Sequence, residues 1–108
     1  MNYELLKKQI EEIFKTEEVK LDPTSESEDY EIKINDYETW IEILVLREYD
    51  WTPIPFNYNI SEKLSELFGT REFDVNKYSM HGCETCDYGS RYGHELCIRK
   101  ENLNWKGE

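Results

Sequence analysis

The three cysteines and both histidines of this chain fall within seventeen residues, from His81 to Cys97. The rest of the chain has neither type. In the run His81-Gly82-Cys83-Glu84-Thr85-Cys86, the two-residue gap between Cys83 and Cys86 lets both thiolates face one ion. A closed tetrahedral zinc site needs two further sulfur or imidazole ligands, and His81, His94 and Cys97 are of those types. Four protein ligands leave no vacancy for water, so the pattern predicts a structural zinc rather than a catalytic one.

Strand parity selects among the candidates. If the flanking strands pair about Tyr88-Gly89, His81 falls opposite Cys97 with Cys83 on the same face, which predicts His81, Cys83, Cys86 and Cys97 as the ligand set. His94 would take the fourth place only if the chain turned at Gly93 instead. Thiol redox chemistry is the other use of this spacing, but it needs the first thiolate at a helix N-terminus, and Asp87-Tyr88-Gly89 starts a turn. No Ser-His-Asp constellation, phosphate-binding glycine loop or dinucleotide fingerprint is legible, so the reading is of a protein that is not an enzyme.

The elements that must hold this segment follow from periodicity. Tyr3, Leu6, Ile10, Ile13 and Phe14 recur at helical spacing, with Asn2 as N-cap, and predict an amphipathic helix over the first sixteen residues with its stripe in the core. Residues 22 to 29 have the acidic, Ser- and Pro-bearing composition of a mobile loop. Tyr30, Ile32 and Ile34 alternate with polar residues as a strand does, and Asn35-Asp36 offers a turn. From Thr39 to Tyr49 both faces are apolar, Ile41, Ile43 and Val45 against Trp40, Leu44 and Leu46, which marks a central strand. Pro53 and Pro55 then break the ladder. Asn59 with Glu62 predicts a capping box for a second helix built on Ile60, Leu64, Leu67 and Phe68 and closed by Gly69. Phe73 and Val75 open a third strand whose phase shifts to Tyr78 and Met80, as at a bulge near Asn76-Lys77, and Leu96 and Ile98 form a fourth. The sum is one domain over 1–108, of α+β class. It is a four-stranded, mainly antiparallel sheet packed on two helices in the order α-β-β-α-β-β, with a zinc-knuckle hairpin between the third and fourth strands.

Charge narrows the partners. Asp and Glu number 24 against 13 Lys and Arg, and the formal net charge is −11. Such a surface repels nucleic acid and anionic membranes and attracts basic proteins. The longest aliphatic run, Ile43-Leu44-Val45-Leu46, is far too short for a membrane helix, and the N-terminus lacks the layout of a signal peptide, which with an odd cysteine count predicts a cytoplasmic protein. Glu38, Glu42 and Glu48 share a parity with Trp40 and predict a carboxylate row, and Trp51 and Tyr88 are the aromatic anchors expected beside it.

In size, acidity and the set His81-Gly82-Cys83-Glu84-Thr85-Cys86 with Cys97, the chain resembles the phage-encoded type II anti-CRISPR proteins, in particular the small zinc-containing kind. The resemblance implies an inhibitor, acting in the cytoplasm of the host cell as a monomer or small homo-oligomer. It would bind Cas9 or its guide complex on the basic surface that handles nucleic acid and block the loading of target DNA. The alternative is a zinc-ribbon-like nucleic-acid or transcription-associated module that uses Arg71, Lys77, Arg91, Arg99, Lys100 and Lys106 around the metal.

Overall fold

The computed structural model describes residues 3–21, 30–48, 54–80 and 90–105. In chain order these form helix α1 (Glu4–Leu21), strands β1 (Glu31–Asp36) and β2 (Trp40–Arg47), helix α2 (Tyr58–Phe68) and strands β3 (Phe73–Met80) and β4 (Arg91–Arg99). The strands lie in the order β1-β2-β4-β3 with every neighbouring pair antiparallel, so the α+β class and the element order are those legible in the sequence. β2 is central as expected, and β4 lies beside it.

Alternation decides which face the helices cover. Ile41, Ile43 and Val45 of β2 pair with Ile98, Leu96 and His94 of β4 and with Asp36, Ile34 and Ile32 of β1, so these side chains share one face. Leu6, Ile10 and Phe14 of α1 and Ile60, Leu64 and Phe68 of α2 pack on it, all fully buried. At roughly 1.5 to 3 kcal/mol for each large apolar side chain, this layer contact is the main attraction holding helices to sheet. The opposite face carries Asn35, Glu42, Cys97 and Asp74 in one cross-strand row and Lys33, Leu44, Glu95 and Asn76 in the next. No helix among the described residues covers it. Nor is any helix among them long and apolar enough to cross a membrane.

Four local expectations are corrected. α1 runs five residues past Thr16, because Glu17 and Glu18 acquire partners across the fold: Glu17 meets Lys63 of α2 at 2.9 Å, and Glu18 binds the Arg47 guanidinium through both oxygens at 2.9 Å. Arg47 lies on the helix-facing side of β2, 3% exposed, with its guanidinium 4.6 Å from the centre of the Tyr30 ring. Asn2 lies outside the described residues, as does the acidic loop 22–29. The second correction concerns the first hairpin, where Asn35 and Asp36 remain in the ladder opposite Glu42 and Ile41. The reversal occurs at Tyr37-Glu38-Thr39, closed by the Tyr37 amide donating to Trp40 O and by the stacking of those two rings, 4.5 Å between centroids.

Third, the cap of α2 is Asn57, whose side-chain oxygen accepts from the Ile60 amide at 2.9 Å. Asn59 sits inside the first turn, and Glu62 is engaged with Arg71 rather than with a cap. Gly69 does close this helix, at φ 69°, and a Cβ there would lie 2.7 Å from Asn104. Finally, β3 has no bulge: its register is unbroken from Phe73↔Ile98 to Met80↔Arg91. The phase shift has another cause. Phe73 and Val75 face the helices, whereas Tyr78 and Met80 belong to the opposite face, where Tyr78 is paired with the side-chain-less Gly93.

Candidate functional site

β4 positions two of the proposed metal ligands, and it separates them. Leu96 and Ile98 must face the helices, so His94 shares their side and Cys97 takes the other. The His94 ring packs 5.3 Å from Phe56, and its Nε2 lies 2.9 Å from Ile54 O. A carbonyl only accepts, so Nε2 carries the proton and donates it. This histidine ties the connector before α2 to the sheet, and it cannot share an ion with Cys97 through the sheet.

The register gives Cys97 a different neighbour on β3 from the one expected. Cys97 pairs with Asp74, and Met80 lies six residues further along β3, roughly 20 Å at the rise of a strand. His81, Cys83 and Cys86 themselves lie outside the described residues. Among the described residues, no group of three or more His, Cys, Asp or Glu is arranged to hold a metal ion.

What the sheet does assemble around Cys97 is acidic. Glu42 of β2 and Asp74 of β3 are its register partners on either side, and Glu95 lies two residues before it on the same face. Burial, and then the charges of Glu95, Glu42 and Asp74, push the Cys97 thiol up to about 11. A thiol so placed is neutral at physiological pH and is a poor nucleophile. Glu95 is raised as well, chiefly by its hydrogen bond with Glu42, then by burial and by the Glu42 charge. Glu42 also accepts from Asn35 Nδ2 at 2.8 Å, which fixes its orientation.

The expected row of Glu38, Glu42 and Glu48 is not continuous. Glu42 lies on the uncovered face, Glu38 is exposed in the β1–β2 turn, and Glu48 is exposed just past the other end of β2. Between them Leu44 and Leu46 are buried. An ion pair also reaches across β2 from the strands on either side, with Arg91 Nε donating to Oε2 of Glu31, the register partner of Leu46, at 2.7 Å. Trp51 and Tyr88 lie outside the described residues. Sequence reasoning missed Asp74, Glu95 and Tyr37. The signal for the first two was present: once Phe73, Val75, Leu96 and Ile98 are assigned to the core, Asp74, Glu95 and Cys97 must share the other face.

Basic charge, by contrast, is consumed internally. Of the twelve described Lys and Arg residues, ten lie within ion-pair distance of an acid of the same chain, Lys8 and Lys77 being the exceptions. Arg71, Arg91, Arg99 and Lys100, four of the residues that a nucleic-acid-binding reading needs, face Glu62, Glu31, Glu101 and Asp36 respectively. No family model, curated protein or solved structure matches the chain. Its functional reading therefore rests on its own residues.

Proposed function

We propose that this protein is a non-enzymatic inhibitor that binds a basic, nucleic-acid-handling protein, and that its target is a Cas9-type effector kept from loading target DNA. The observation that supports the reading is the sorting of charge. Nearly every described cation is held by an internal acid, while Glu12, Glu38, Glu48, Glu66, Glu72 and Asp74 are exposed with no ion pair among the described residues. The net charge of −11 is thus presented as uncompensated carboxylates, which suit a groove of Lys and Arg that otherwise holds phosphates. The same sorting disfavours the zinc-ribbon alternative, four of whose six basic residues are already engaged. A structural zinc held by the loop residues His81, Cys83 and Cys86, with its fourth place taken by a ligand other than Cys97, is proposed for the same chain as a staple.

The test is cleavage of a target duplex by Cas9 at two salt concentrations, with and without the protein. Inhibition accompanied by loss of duplex binding, and weaker at the higher salt, is the expected result. Unimpaired cleavage at both salts would remove the Cas9 target.

A further inference from the structure

The two helices cover one face of the sheet and leave the other without a helical layer among the described residues. At the end of that open face where β2 and β3 begin and β4 ends, Glu42, Glu95 and Asp74 surround Cys97 with no Lys or Arg of the described residues among their ion-pair partners. Trp40 adjoins them, its ring stacked with Tyr37, which is 44% exposed. Thr39, Trp40, Asp74, Cys97 and Arg99 line an open groove there. Two cations border it and are drawn elsewhere: Lys100 lies 2.5 Å from Asp36, and Arg99 lies 3.9 Å from Glu101.

The geometry points to this open face as the docking surface for a basic partner, with an arginine of the partner seated against Trp40 and bridging the carboxylates of Glu42 and Glu95. This inference rests on the inhibitor reading and names the surface that carries it. A guanidinium is the cation that fits, because it is planar, donates to two carboxylates at once and stacks on an indole. A bare metal ion is a poorer occupant, since these acids do not converge on one point. The strongest argument is that Glu42 and Glu95 are diagonal cross-strand neighbours on the same face of β2 and β4. Like groups held together by the fold lose favourable energy when both ionise, and a bound cation replaces that repulsion with two charge-assisted hydrogen bonds. Arg99 is the internal competitor, placed to swing toward the same acids.

The test uses the full chain, labelled with nitrogen-15, and two probes, a nona-arginine peptide and Cas9. The peptide should shift the amide signals of Glu42, Asp74, Glu95 and Cys97 and the Trp40 indole signal, while those of α1 and α2 stay in place. Glu42→Gln with Glu95→Gln should weaken both probes at least tenfold, and Glu12→Gln with Glu66→Gln, which removes the same charge from the helices, should weaken them less than twofold. Arg99→Gln should tighten both. Shifts spread evenly over the surface, or equal losses from the two double variants, would overturn the docking face in favour of bulk charge. Localised peptide shifts with no binding to Cas9 would keep the face and reject the Cas9 target.

Discussion

Gly93 of β4 is pressed against Val45 of β2 so closely that a Cβ on Gly93 would lie 1.8 Å from the Val45 carbonyl oxygen. Backbone cannot yield by that amount without breaking the central ladder of the sheet. Gly93→Ala is therefore expected to destabilise the fold by at least about 2 kcal/mol, the range of core steric defects, read from the midpoint of urea unfolding. A loss below about 0.5 kcal/mol would show that β2 and β4 are further apart here.

The buried pair of Glu18 and Arg47 joins the last turns of α1 to β2. Removing one charge strands the other in a site with little water, so Glu18→Gln or Arg47→Met alone should each cost roughly 3 kcal/mol or more. The double variant Glu18→Leu with Arg47→Met should recover most of that loss, because an apolar pair leaves no buried charge. A double variant as unstable as the sum of the singles would mean that the pair has no coupling.

For Glu95 the sign with pH follows from its raised carboxyl. The fold favours the protonated form, so the group's contribution to stability is complete below its ordinary value of 4.5 and is lost as pH rises through the higher folded value. Glu95→Gln removes the repulsion from Glu42. Its melting temperature at pH 7 should exceed that of the parent by about 2 to 4 °C, for a gain on the order of 0.5 kcal/mol, and the difference should vanish near pH 3.5. A lower melting temperature at pH 7 would contradict the arrangement. The same substitution is expected to weaken partner binding, so stability and function oppose each other at this position.

Cys97 should be dispensable for metal. Native mass spectrometry is expected to find one zinc per chain in the parent and in Cys97→Ser, none in Cys83→Ser, and none after acidification, since protonated thiols do not ligate. Loss of zinc from Cys97→Ser would return Cys97 to the ligand set and contradict its pairing with Asp74. In the folded protein, the raised thiol should also make Cys97 about a hundredfold slower to alkylate at pH 8 than a cysteine of ordinary acidity, as the thiolate fraction dictates.

Local spacing carries its own information, and that part of the protein was legible in the amino-acid order. Helical recurrence from Leu6 to Phe14 and from Ile60 to Phe68, alternation in Ile32 and Ile34, the two-faced apolar run of β2 and the glycine at 69 are all properties of neighbours, and each element stands where they indicate. Asn57 and Asn59 were not separable in this way, since both precede the same apolar stripe and only the backbone entry angle shows which side chain reaches the Ile60 amide. The end of α1 was invisible for a related reason: Glu17 and Glu18 look like solvent-facing acids until Lys63 and Arg47, 46 and 29 residues away, arrive beside them.

The candidate site depended on register, and register is a relation between strands rather than within one. Moving the centre of the β3–β4 hairpin by a few residues exchanges His81 for Asp74 as the residue opposite Cys97. Hydrophobic alternation fixes which face Cys97 takes, but the exchange is an odd shift of seven residues along β3, which an expected bulge at Asn76-Lys77 would have absorbed and which the unbroken ladder does not allow. The sequence by itself determined the class, the acidity and the side of the sheet on which the residues of β2 and β4 fall, but not the side taken by Tyr78 and Met80 of β3. Only the packing of β4 between β2 and β3 decided that Glu42, Glu95, Asp74 and Cys97 form one cluster, since that requires three strands distant in sequence to be aligned at once.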